Sequence, residues 1–188
     1  MRDSVELSDP RALRALAHPT RLALVTLLRR VGPMTATQAG ARIGESAASC
    51  SFHLRQLAKW GLVEDAGGGR GRERPWRATA RSTSWKVTEP EQAEPSAAIG
   101  ALIVRGQMQS LLAALERQPR ETAAWQRAHQ LMDAQLLLTQ EQLEELGMRV
   151  WQLVKSFERR ADQAAVGAPE ARRVDLFFAG FPAAEEER

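Results

Sequence analysis

The stretch from Ser46 to Arg77, SAASCSFHLRQLAKWGLVEDAGGGRGRERPWR, restricts the fold more than any other part of the chain. Ser46 carries the hydroxyl of a helix N-cap, and Gly61 suits a helix stop, so a helix to about Trp60 is expected between them. On that helix Cys50, Leu54 and Leu57 fall at i, i+4 and i+7, one apolar stripe to be buried. Ala48, Ser51, Phe52, Arg55 and Lys59 fall on another face that includes two cations. Leu62–Asp65 and Arg74–Thr79 then read as two strands around a turn, Ala66–Glu73, rich in glycine and arginine. A rod with one outward basic face, next to a flexible arginine-tipped hairpin, matches the needs of a duplex reader.

Upstream, Asp9-Pro10 pairs an N-cap with a proline at the first helical position and predicts a helix to about Ala17. His18-Pro19-Thr20 breaks it and starts another, with Leu22, Leu24, Val25, Leu27 and Leu28 as apolar content, ended by Gly32-Pro33. Thr35 or Thr37 caps a short third helix reaching Ile43, and Gly44-Glu45-Ser46 makes a tight turn into the fourth.

Charge divides the chain. Residues 1–88 hold 15 Lys/Arg against 7 Asp/Glu, a net of +8, and residues 89–188 hold 11 against 16, a net of −5. Only the first half is suited to a polyanion. Overall composition, 44% hydrophobic and 26% charged, is that of a globular protein. The acidic, proline-punctuated TEPEQAEPS predicts a linker at 89–95, between a DNA-binding domain at 1–88 and a second domain at 96–188. In the second, a helix is expected over Ser96–Gln118. A capping box at Thr139 and Gln142 opens another, striped by Leu143, Leu146, Val150, Val154 and Phe157 to about Ala165. Arg120–Asp133 is ambiguous. Ala134–Leu138 and Arg173–Ala179 read as short strands able to pair, and a small apolar effector between these elements is left open. The expected fold class is mainly α with a β-hairpin wing, the second domain being α-rich.

Most residues of interest have a plain structural alternative. Phe52 either meets a thymine methyl or packs on a neighbour. Cys50, on the buried stripe, acts as a small hydrophobe, with a redox role as the alternative. His53 is expected to be a satisfied histidine at the helix–core boundary, and His18 to support a helix cap. Trp60, Trp76 and Trp85 are read as packing; Trp125 and Trp151 pack or line a pocket.

Residues 9–80 resemble the winged helix-turn-helix of ArsR/SmtB-type transcription regulators. The likeness lies in LRALAHPTRLALVTLL (13–28), ESAASCS (45–51), HLRQLAKWGLVED (53–65) and RGRERPWRAT (70–79), with Ser51, His53, Leu54 and Leu57 as its most specific element. It implies a homodimer, with recognition helices in successive major grooves roughly 34–36 Å apart and dimer contacts from about 9–17 and 96–118. The expected DNA-contacting set is Ser46, Ala47, Ala48, Ser49, Ser51, Phe52, Arg55 and Lys59 on the helix, with Arg70, Arg72 and Arg74 on the wing.

The chain departs from the metal-sensing members. Thr35–Ile43 has no Cys-x-Cys pair, and His129 has only Asp133 at i+4, so no metal and no cofactor are expected. A single cysteine excludes an intrachain disulfide. The glycine run lacks the GK[ST] of a phosphate loop, and no nucleophile–base set is spaced for catalysis, so no enzyme is expected. No signal peptide or membrane span is read, which makes the cytoplasm the expected location. The sequence therefore points to a homodimeric repressor on a pseudo-palindromic operator in double-stranded DNA. The alternative is a winged-helix module whose basic wing meets an acidic protein.

Overall fold

Helix starts in the first half are set by side chains that satisfy the free N–H groups of each first turn. In the computed structural model, which describes residues 2–69, 74–164, 171–172 and 174–183, Asp9 accepts from the Arg11 N–H at 2.7 Å and opens α1 (Pro10–Leu16). His18 Nδ1 accepts from the Thr20 N–H at 3.2 Å and opens α2 (Pro19–Val31). Thr35 and Gln38 form a reciprocal capping box on α3 (Ala36–Ile43). Ser46 Oγ accepts from the Ser49 N–H at 3.1 Å and opens α4 (Ala47–Lys59). These are the four helices expected from the sequence.

Among the described residues, five short strands frame them: β1 (Arg2–Glu6), β2 (Met34–Thr35), β3 (Val63–Asp65), β4 (Pro75–Ala78) and β5 (Ala80–Ser84). The order β2-β4-β3 is antiparallel, with Met34 opposite Trp76 and Val63 opposite Ala78. This is the expected hairpin plus a strand, β2, too short to show in the sequence. β1 pairs in parallel with β5, Arg2 opposite Ala80, which no local pattern announced. Arg29 ties α2 to β5, donating through Nε to the Ala80 carbonyl at 3.0 Å and through Nη2 to Thr83 Oγ1 at 2.6 Å. Burial lowers its pKa to about 10, which still leaves a cation at neutral pH.

One core serves all of this. Leu13 and Leu16 of α1, Leu24, Val25 and Leu28 of α2, and Cys50, Leu54 and Leu57 of α4 are buried together with Leu62, Val63, Trp76 and Ile99. The turn between α3 and α4 is tight. Gly44 is left-handed at φ 75°, and a Cβ on Gly40 would run into the Glu45 carbonyl oxygen.

The expected linker at 89–95 is not one. Helix α5 spans Pro90–Arg117, and the first compact unit runs from Met1 to Arg117. Gln92 is buried. Its Oε1 accepts from the Thr88 and Glu89 N–H groups at 2.7 and 3.1 Å, and its Nε2 donates to the Ser8 carbonyl at 2.5 Å. Trp85 Nε1 donates to Ser96 Oγ at 2.7 Å. The prolines misled in different ways: Pro90 takes the first helical position, where a missing N–H costs little, while Pro95, normally a break, lies inside the helix and is buried there. Further along α5, Val104, Met108, Leu111, Leu112 and Leu115 are exposed. By length and composition alone, α5 with the turn after it could cross a membrane.

The second unit, Gln118–Arg188, holds a 3-10 turn (Gln118–Arg120), α6 (Ala123–Ala128) and α7 (Gln140–Ala164). The Thr139–Gln142 box forms as expected: the Thr139 N–H donates to Gln142 Oε1 at 2.9 Å and the Gln142 N–H to Thr139 Oγ1 at 3.3 Å. The two expected strands do not form. Residues 134–138 and the described residues 174–179 are irregular and exposed, while Arg173 lies outside the described set. A short apolar run can be read as a buried strand only if something covers it. No described residue after Ile99 is buried, so the single chain builds no closed core there. The fold class is nonetheless mainly α with a small hairpin sheet, as the sequence indicated.

Two substitutions test this frame. Gly40→Ala is expected to lower the unfolding free energy by about 1–3 kcal/mol, because backbone must move to admit the methyl. Gln92→Ala leaves the Thr88 and Glu89 N–H groups and the Ser8 carbonyl without their partner, and about 1–3 kcal/mol should be lost. Urea denaturation reads both; an unchanged Gln92→Ala midpoint would return residues 89–95 to the status of a linker.

Candidate nucleic-acid interface

The rotation of α4 is decided by its buried stripe. With Cys50, Leu54 and Leu57 fully buried, residues one or two positions away must face out. Ser46, Ala47 and Ala48 are exposed at the N-terminal end, and Ser49 and Ser51 are half-buried. Phe52 is half-exposed and turns its ring edge-on to His53, with centroids 5.3 Å apart, so it packs and presents a surface at once. Arg55 and Lys59 are exposed. Small residues at the leading end let a helix backbone come close to a base edge or phosphate. Residues 47–52, the leading end of this helix, offer little bulk except Phe52.

Arg55 is held in place. Its Nη1 donates to Ser51 Oγ at 2.6 Å, one turn back. Both line a groove of about 320 Å³ together with Thr35, Ala36, Thr37, Arg74 and Trp76. The groove joins three elements: the start of α3, the middle of α4 and the near end of the wing. Arg74 is exposed, and its Nε lies 4.0 Å from Asp65 Oδ2, a loose surface pairing of little strength. Arg77, also exposed on β4, is engaged by Glu64 at 2.8 Å.

The structure thus brings Ser51, Arg55 and Arg74 to one groove and leaves Lys59 on the far end of α4, away from it. Arg70 and Arg72 lie outside the described residues. The sequence reading missed Thr37 and Trp76 as groove walls. Thr37 has only its place two residues into a capped helix to mark it, and Trp76 was absorbed into the core, where most of its surface does lie. Thr35 was read as a cap and is one; its groove-lining role follows from the α3–β4 juxtaposition alone.

Cys50 is fully buried, and burial, with Glu45 nearby, raises its thiol pKa. A thiol kept protonated at neutral pH packs well and reacts poorly. His18 supports the α2 cap as expected. His53 departs from expectation: its Nδ1 is buried and has no hydrogen-bond partner among the described residues. What it has is the His18 ring, with centroids 4.5 Å apart. His129 is the exposed C-cap of α6. Among the described residues no group of three or more His, Cys, Asp or Glu side chains is arranged to hold a metal. In the second unit Trp125 and Trp151 each carry a cation on the ring, Arg172 at 5.0 Å and Lys155 at 4.8 Å.

Residues 16–66 match the family model for a helix-turn-helix domain. None of the curated proteins matches the chain. Among solved structures, one described as a possible transcriptional regulator for arsenical resistance is 30% identical, covering 54% of this chain and 93% of its own, with a TM-score of 0.32. An ArsR-like transcriptional regulator from Rhodococcus sp. RHA1 is 25% identical over 60% of this chain and 93% of its own, with a TM-score of 0.32. The transcriptional repressor BigR from Xylella fastidiosa is 22% identical over 50% and 83%, with a TM-score of 0.33. Superpositions of that quality add nothing to the fold; kinship rests on the sequence match and on the helices and wing described above. Through this half, its helix-turn-helix followed by the β3–β4 wing, the chain belongs to the ArsR-type winged helix-turn-helix transcription regulators.

Proposed function

We propose that this protein is a sequence-specific DNA-binding repressor that works in the cytoplasm as a homodimer on a pseudo-palindromic operator. The observation that carries the reading is the shared groove in which Arg55, braced by Ser51, stands across from Arg74. One cation on the recognition helix and one on the wing, with small residues ahead of the first, suit a base contact flanked by backbone contacts. In this reading Ala47, Ala48, Ser51, Phe52 and Arg55 meet base edges. Ser46 and Ser49 lie at the helix start nearest a phosphate, and Lys59 and Arg74 neutralise phosphates. Arg70 and Arg72 are assigned to the minor groove on sequence grounds.

The dimer is placed on α5. Its exposed Val104, Met108, Leu111 and Leu115 are spaced 4, 3 and 4 residues apart, the seam that a second helix covers. α1 packs beside α5 in the first unit and would flank that seam. Repression is then occlusion: a dimer seated over a promoter leaves no room for polymerase.

Fluorescence anisotropy on a duplex selected from a random-sequence pool tests the reading. Affinity should fall steeply with salt, by a log–log slope of about 0.9 per phosphate contact, and the selected site should be preferred over bulk DNA by about 10³ or more. Absence of any duplex preference would remove the assignment. Arg74→Ala should weaken all duplexes alike. Arg55→Ala should relax preference at one base position by about 1–3 kcal/mol, and an unchanged preference would take Arg55 out of base readout. Met108→Glu together with Leu111→Glu is expected to yield monomers in sedimentation; a persistent dimer would move the interface off α5.

A further inference from the structure

The chain has three histidines, and two of them meet ring to ring where the recognition helix touches the start of α2. His18 sits at the α1–α2 junction, and its Nδ1 lone pair accepts the Thr20 N–H at 3.2 Å. That contact requires a neutral ring with no proton on Nδ1. His53 comes from α4, and its own Nδ1 is buried with no partner among the described residues. The charged groups around the pair come from each element packed there. Arg21 of α2 donates to the Ala15 and Arg14 carbonyls. Glu45, in the α3–α4 turn, accepts from Thr20 Oγ1 at 3.3 Å.

We propose that the His18–His53 pair is an acid-sensitive latch that holds the recognition helix against the start of α2, and that its protonation loosens the helix and lowers affinity for DNA. The proposal rests on the DNA-binding assignment above. Double protonation makes both Nδ1 atoms donors. On His18 the new N–H faces the Thr20 N–H and cancels the cap. On His53, whose Nδ1 has no partner among the described residues, it leaves a buried donor unsatisfied. Two imidazolium rings would also stand in contact beside the Arg21 guanidinium, with the single carboxylate of Glu45 to offset three positive charges.

Electrostatics at the site agree. Burial lowers the pKa of His18, and Arg21 and His53 lower it further, while Glu45 opposes. Burial and Arg21 lower that of His53, again against Glu45. For a base whose folded value is depressed, the unfolded chain binds protons first. Stability from the neutral pair is therefore full above the unfolded value of about 6.5 and is lost as pH falls through the folded values. The direction separates the latch from simple charge. Added positive charge near DNA tightens non-specific binding, whereas release of the helix weakens specific binding.

The test is anisotropy on the selected duplex at about pH 7.5 and about pH 5.5, with thermal unfolding in the same buffers. The wild-type protein should lose about tenfold or more in affinity on acidification, while the double variant His18→Asn with His53→Gln should change by less than about twofold. His129→Gln should behave as wild type. His18→Asn alone keeps a capping side chain, should lose less than the wild type, and serves if the double variant does not fold. Wild-type affinity that holds or rises in acid overturns the latch, as does a loss that persists in the latch variants. Should no duplex be bound at any pH, the DNA assignment fails and unfolding decides the latch alone. A wild-type midpoint that drops in acid, beside a flat one in the variant, supports it; equal drops overturn it.

Discussion

Everything functional in the first half depends on how α4 is clamped. Cys50, Leu54 and Leu57 are buried against Leu24, Val25 and Leu28 of α2 and the small sheet, and close packing of that kind allows one rotation of the helix. The rotation places Arg55 outside and Cys50 inside, five residues apart on one helix. A turn of the helix by one position would bury a cation and expose the cysteine. The N-terminal position of α4 is fixed as firmly, by the Ser46 cap and by the α3–α4 turn that only glycine at 40 allows.

The wing completes the site by a different physical route. β4 is central in its sheet, paired to β3 on one side and β2 on the other. Because β2 runs straight into the cap of α3, the pairing of Met34 with Trp76 sets the start of α3 beside the wing. That is why Thr35 and Thr37 share a groove with Arg74, although nearly forty residues separate them. Hydrogen-bond register, not side-chain chemistry, brings the pieces of the groove together.

Beyond the clamp, the chain shows two kinds of unfinished surface. Along α5 the exposed apolar residues keep helical spacing. In the second unit Leu136, Leu137, Leu176, Phe177 and Phe181 are exposed on irregular segments without such order. In the sequence, the runs 134–138 and 173–179 read as short strands able to pair. The described part of a single chain offers too few facing elements to cover them.

Local chemistry carried much of the first half. Caps at Asp9, His18, Thr35 and Ser46, the Gly61 stop and the i, i+4, i+7 stripe of α4 are short-range features, and each helix formed where they indicated. The outward set at Ser46, Ala47, Ala48, Phe52, Arg55 and Lys59 follows from the same periodicity. Helical status for 89–95 was hidden, because Gln92 is anchored by Ser8, eighty-four residues away. So were β1, whose partner β5 lies nearly eighty residues away, and the His53 Nδ1, without a partner among the described residues and beside His18. The sequence by itself determined the helices and which face of α4 is apolar, since both depend on neighbours within about four residues. Tertiary structure alone decided the groove, the anchored start of α5 and the histidine pair, since each joins groups that the chain order keeps far apart.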